Sequence, residues 1–129
     1  MERLPVNELL ARARERLERL EPPDALAAVT DAGAILIDIR SEAQREADGI
    51  VPHARFVPRN VLEWRMDPDC PYRDPAVARL DARVVLMCNE GHQSSLAAAT
   101  LQDMGFADAT DVAGGFQAWR RAGLPVQPA

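Results

Sequence analysis

Two unbroken apolar runs, Ala34-Ile35-Leu36-Ile37 and Val84-Val85-Leu86-Met87-Cys88, constrain this chain more than any other feature of it. A strand with one wet face alternates apolar and polar positions. A run of four or five without interruption, bounded by turn residues, reads as a strand buried on both faces. Strands are therefore expected at Ala34 to Asp38, with polar Asp38 emerging at its carboxyl end, and at Arg83 to Cys88. Shorter strands are expected at Arg55 to Pro58, where the proline removes a ladder donor, and at Ala109 to Val112.

Between these runs the period turns helical. Leu9, Leu10, Ala13, Leu17 and Leu20 recur at helical spacing from Val6 to Leu20, with Glu8, Arg12, Arg14, Arg16, Glu18 and Arg19 on the remaining surface, a face read as solvated or able to dock a partner. Further helices are expected at Ala25 to Thr30, after a Ser41 cap through Ala47, from an Asn60 cap over Val61 to Met66, and over one or two turns from Pro75 to Leu80. Others follow a Ser94 or Ser95 cap through Met104 and run from Phe116 to Ala122. Asp67 to Asp74, with three Asp and two Pro, reads as a surface loop. Strands alternating with helices argue a mostly parallel α/β sheet covered on both faces. In such sheets ligands sit beyond the carboxyl ends of strands, which directs attention to Asp38 to Arg40 and to the segment after Met87.

Composition narrows the functional classes. The chain has 129 residues, 47% of them apolar, so one domain can bury a core without disulfides or metals. All 15 basic residues are Arg, against 20 acidic ones, for a formal charge of -5; no basic stripe for nucleic acid is expected. Apolar runs of five fall far short of the roughly 18 residues that span a bilayer. The first residues lack a basic patch followed by an apolar stretch, which carries the expectation of a cytoplasmic protein. Two cysteines, Cys70 and Cys88, and two histidines, His53 and His92, have no usual zinc spacing, so no metal is expected.

Cys88 stands where a buried strand ends, and Asn89-Glu90-Gly91-His92-Gln93 separates it from the next helix. A short loop of this kind can curl its backbone N–H groups toward one point, with the helix terminus adding partial positive charge, and so favour a thiolate nucleophile at its rim. Gly91 permits the positive φ that a tight concave loop needs. The residues by themselves fit equally well a small buried hydrophobe at position 88. Cys70, in an acidic loop, reads as an exposed thiol without an activating partner.

Taken together, Leu36-Ile37-Asp38-Ile39-Arg40, Glu46-Ala47-Asp48-Gly49-Ile50-Val51-Pro52-His53-Ala54, the Cys88 strand and loop, Gly114-Gly115-Phe116-Gln117-Ala118-Trp119 and Gly123-Leu124-Pro125-Val126 resemble a single rhodanese domain. The resemblance spans about Ala25 to Val126. It implies a three-layer fold with a five-stranded, mostly parallel sheet flanked by helices, here 23–129, preceded by a helical extension, 1–22. It also implies a sulfurtransferase or persulfide carrier that uses Cys88 as nucleophile, needs no cofactor, and passes sulfur from a small donor or persulfidated protein to a thiol acceptor. The expected assembly is a monomer or homodimer. Asn89, Glu90, Gly91, His92, Gln93 and Ser94 would line the anion site. Arg59 and Arg65 would supply cations near its mouth, unless they are solvated or Arg65 pairs with Glu63 or Asp67. Asp38 and Arg40 would give structural support, the carboxylate accepting loop N–H bonds and the Arg pairing with an acid such as Glu46. Trp119 and Phe116 would anchor the last helix to the core.

The loop departs from the family, which commonly carries Arg after the cysteine and Arg or Thr at the loop's end. Glu90 opposes the positive helix terminus, making thiosulfate a doubtful donor. A silent binding module is therefore the alternative. A phosphatase or arsenate reductase would need a longer loop closed by an Arg that position 94, a Ser, does not provide.

Overall fold

The computed structural model describes residues 2–129. Helix α1 (Val6–Glu15) leads through a short extended segment into α2 (Pro22–Ala32), β1 (Ile35–Asp38), α3 (Glu42–Asp48) and β2 (Ala54–Phe56). A 3-10 turn, Arg59–Val61, precedes α4 (Leu62–Met66). Then come β3 (Val84–Met87), α5 (Gln93–Asp103), β4 (Thr110–Asp111) and α6 (Gly115–Arg121).

The sheet is parallel throughout, in the order β2-β1-β3-β4, with Ile35 to Asp38 in register with Val84 to Met87. Four strands are found among the described residues, where five were expected. Beyond β4 the chain contributes one parallel bridge, Leu20 to Val112, in which Leu20 N–H donates to Asp111 O at 3.0 Å and Ala113 N–H donates to Leu20 O at 2.8 Å. It cannot lengthen forward: Glu21 is followed by Pro22 and Pro23, which lack donors and open α2.

Side chains of the two central strands go alternately to two cores, as their unbroken apolar runs require. Ile37, Val84, Leu86 and Cys88 meet Ala97, Ala98, Leu101 and Phe106 on the α5 side. Leu36, Val85 and Met87 meet Ala25, Phe116 and Trp119 on the α2 and α6 side. Each large apolar side chain buried this way contributes roughly 1.5–3 kcal/mol. Trp119 and Phe116 are fully buried, and Trp119 Nε1–H donates to Pro125 O at 3.0 Å, holding the carboxyl-terminal tail against the last helix.

The sequence-based helix bounds change at functionally telling places. The first helix stops at Glu15, five residues before Leu20, because the segment that follows is drawn out beside β4. Ser41 caps α3 as expected, in a capping box: Gln44 N–H donates to Ser41 Oγ and Ser41 N–H donates to Gln44 Oε1, both at 3.1 Å. Neither Ser94 nor Ser95 caps α5. His92 holds the N-cap position, and both serines lie inside the first turn with their hydroxyls engaged elsewhere. Asn60 makes no side-chain cap, since a 3-10 turn occupies its position.

Candidate functional site

β3 ends at Met87, and the following loop is held from two sides. On one side, Phe116 N–H donates to Cys88 O at 2.8 Å and Gln117 N–H donates to Asn89 O at 3.1 Å. This close docking needs Gly115: a Cβ there would lie 2.4 Å from Cys88 O and 2.8 Å from Gly91 N, on a backbone with φ of 61°. On the other side, the carbonyl of Gly91 accepts guanidinium N–H bonds from both Arg14 and Arg19, each at 2.9 Å.

Clamped in this way, the loop wraps around the sulfur. Gly91 N–H donates to Cys88 Sγ at 3.1 Å, and the thiol donates to Ser94 Oγ at 3.2 Å. Gly91 carries the expected positive φ, 84°. The amides of Asn89, Glu90, His92, Gln93 and Ser94 have no acceptor among the described residues. Unpaired amides at the head of an 11-residue helix form the concave, electropositive main-chain surface that stabilises an anion.

Cys88 is 2% exposed and lines a cavity of about 370 Å³ together with Asn89, Glu90, His92, Gln93 and Gln44. An adjoining cavity of about 530 Å³ shares Gln44 and Gln93 and is lined further by Arg40 and Arg59. Gln44 was not singled out, although Ser41-Glu42-Ala43-Gln44 carries the spacing of a capping box; its side chain is fixed by that box and lines both cavities.

The expected cations are placed less favourably for anion capture. Arg59 borders the adjoining cavity but donates to Glu63 at 2.7 Å, which compensates its charge. Arg65 lines a separate cavity with Arg73 and Asp74 and donates to Tyr72 O at 2.9 Å, so its partner is neither Glu63 nor Asp67. Glu90 and His92 are the ionisable side chains lining the cysteine cavity besides Cys88.

Asp38 and Arg40 pair with each other below this surface. Asp38 Oδ1 accepts Arg40 N–H at 3.0 Å, and Arg40 Nη2 donates to Asp38 Oδ2 at 2.9 Å and to Gly49 O at 2.9 Å. Arg40 lies over the Phe116 ring at 3.8 Å, and Arg45 rather than Glu46 completes the cluster, donating to Asp38 at 3.3 Å.

Residues expected on a solvated helix face, with others carrying no expectation, form a network joined to Cys88 through Ser94 and Gly91. Asp111 is fully buried and accepts four hydrogen bonds: Ser94 Oγ and Ser95 Oγ at 2.7 Å each, and Arg19 at 2.9 and 3.2 Å. Arg14 Nε donates to Ser95 Oγ at 3.1 Å. Asp111 gave little signal in the sequence, because Ala109-Thr110-Asp111-Val112 is half polar and its letters do not tell a buried carboxylate from a solvated one.

The chain matches the family model of the rhodanese-like domain over residues 21–122. It is 34% identical over 99 residues to the thiosulfate sulfurtransferase GlpE of Stutzerimonas stutzeri (strain A1501), an alignment covering 77% of this chain and 82% of that one. The structure of a Rhodopseudomonas palustris CGA009 protein of unknown function, described as a possible tyrosine phosphatase, superposes with a TM-score of 0.88 at 34% identity over 98% of this chain and 97% of the other. The polysulfide-sulfur transferase homodimer from Wolinella succinogenes shares the fold, with a TM-score of 0.72 and 24% identity over 93% and 85% of the two chains. By family model, relatives and fold alike, this chain belongs to the rhodanese-like domain family.

Proposed function

We propose that this protein is a rhodanese-type sulfurtransferase or persulfide carrier with Cys88 as its nucleophile. One observation carries the reading: a cysteine that lines a cavity, its sulfur held by the Gly91 amide at 3.1 Å, in a loop whose other amides have no acceptor among the described residues. The Cys88 thiolate attacks the outer sulfur of a donor, forming a new S–S bond while the donor fragment leaves with the electron pair of the bond that breaks. The terminal sulfur of the resulting persulfide bears the negative charge, and the free amides stabilise it there. An acceptor thiolate then attacks that terminal sulfur, and Cys88 leaves as the thiolate. The cysteine carries the group, so the cycle calls for no cofactor.

The electrostatics bear on the donor. Thiosulfate is a dianion, and it would enter past Glu90 with Arg59 already paired to Glu63. A donor of lower charge, such as a persulfidated thiol, suits this mouth better. A phosphatase reading lacks the guanidinium fork that clamps a phosphoryl group in such loops. No helix among the described residues is long and apolar enough to cross a membrane; a cytoplasmic location and a monomer or homodimer fit this reading.

The test is an intact mass of freshly purified protein and of protein incubated with glutathione persulfide or thiosulfate. One added sulfur on the wild type, absent from Cys88→Ser and released by cyanide, is the expected result. No adduct with any donor would leave the silent binding module in its place.

A further inference from the structure

Sulfur chemistry at Cys88 needs the thiolate, yet the thiol here donates into a hydroxyl that already donates to a carboxylate. Ser94 Oγ lies 3.2 Å from Cys88 Sγ and 2.7 Å from Asp111 Oδ2, so its one proton can serve either neighbour. A buried carboxylate normally wins such a contest, because it is charged and costly to leave short of donors. Here it is already well supplied. Arg19 spans both Asp111 oxygens at 2.9 and 3.2 Å, and Ser95 adds a donor at 2.7 Å.

Resting on the reading of Cys88 as the nucleophile, we propose that Arg19 and Asp111 are positioning residues acting through Ser94 to set the pH at which the thiol ionises. When Cys88 loses its proton to water in the cavity, no proton enters the network. The Ser94 hydroxyl turns from Asp111 to Sγ, keeping its own O–H bond, and Asp111 remains paired to Arg19 and Ser95. The thiolate then holds two donors, Gly91 N–H and Ser94 O–H. The segment preceding α2 is thereby part of the site. Arg19 also grips the Gly91 carbonyl beside Arg14, so one guanidinium secures the loop and compensates the carboxylate beneath it.

The charged groups around the sulfur are few. Glu90 and His92 stand on its own loop, Asp111 on β4, and Arg14 and Arg19 on the amino-terminal segment. Asp38 and Arg40 on the neighbouring strand end are paired to each other, and Asp48 is reached only through Gln117 and Asn89. With so short a roster, removing one member changes the local field in a known direction.

The experiment is a pH titration of Cys88 by thiolate ultraviolet absorbance in the full chain carrying Cys70→Ser, with a persulfide assay run in parallel. Arg19→Gln leaves Asp111 uncompensated and should move ionisation upward by about one pH unit, with Arg19→Lys restoring most of it. Asp111→Asn leaves Arg19 uncompensated and supplies an amide donor to Ser94, and should move ionisation downward by a similar amount. A role in holding the loop alone cannot produce shifts of opposite sign from two partners of one ion pair. Should the Asp111 variant not fold, Ser94→Ala is the second probe: it removes the turning donor, should raise the ionisation pH, and should blunt the effect of Arg19→Gln. Shifts of the same sign from Arg19→Gln and Asp111→Asn, or no shift from Arg19→Gln, overturn the proposal, as does Ser94→Ala leaving both the ionisation pH and the Arg19→Gln effect unchanged, even if the wild type forms its persulfide. Opposite shifts in a protein that never forms a persulfide would instead uphold the network and remove the sulfurtransferase reading.

Discussion

Cys88 and Glu90 are two residues apart, and their roles pull against each other. The sulfur is held by the Gly91 amide and the first turn of α5, while the carboxylate at the mouth repels every anion that would reach it. Two charges a few ångströms apart in partly wet surroundings interact by about 1–4 kcal/mol. Glu90→Gln is therefore expected to raise kcat/KM for thiosulfate roughly three- to tenfold at low ionic strength, with the gain shrinking as salt screens the mouth. Steady-state kinetics across a salt series check this. Glu90, Gly91 and Cys88 were legible as a set in the sequence because chain neighbours share a loop. Ser94 was legible as a cap and as a residue of the anion site, but not as a partner of Asp111, since whether a hydroxyl turns to its own helix or to a carboxylate 17 residues on is a matter of packing.

The elements meeting at the loop fix its shape more firmly than the loop's own residues do. The start of α6 lies so close to the loop that Gly115 has no room for a side chain. Gly115→Ala is expected to cost about 1–3 kcal/mol and to reduce persulfide formation at least tenfold, because the Cys88 and Asn89 peptides must move. Gly123→Ala supplies the control: its φ is also positive, 73°, but nothing lies within 4 Å, so it bears the backbone strain without displacing the loop. Chemical denaturation and the persulfide assay separate the two. The Gly114-Gly115 pair reads in sequence as a turn, and so it is. That the second glycine also serves a strand end 27 residues earlier follows only from the parallel crossover.

Across the molecule, several ion pairs tie segments distant in the chain, among them Arg16 to Asp103, Arg19 to Asp111 and Arg55 to Asp74. Asp74, midway along the loop between α4 and β3, is bound by Arg55 of β2. Burial would raise its carboxyl, but hydrogen bonds from Arg55 and from the Ala76 amide, with the charges of Arg55 and Arg65, outweigh this and hold it below its ordinary value of 3.8. A carboxyl depressed on folding stabilises the fold above its unfolded value, and that contribution is lost as pH falls through the lower folded value. Urea unfolding should show wild type more stable than Asp74→Asn at about pH 7, with the difference closing below about pH 4. An unchanged difference across that range would mean the Arg55 pair does not anchor the loop.

Most of the order of elements, the parallel sheet, the cysteine loop and the family were written in local pattern, because buried strands and helix periods are properties of neighbouring residues; the exception is Pro75 to Leu80, where turns stand in place of the expected helix. Tertiary structure alone decided which cations matter. Arg59 and Arg65, near in expectation, are paired to Glu63 or turned to Tyr72, while Arg14 and Arg19, expected on a solvated face, hold the Gly91 carbonyl of the cysteine loop. It also decided that the fifth strand would shrink to one bridge. A side chain's charge can be read from its letter, but the group that answers it is chosen by the fold, which brings residues some ninety positions apart to within 3 Å.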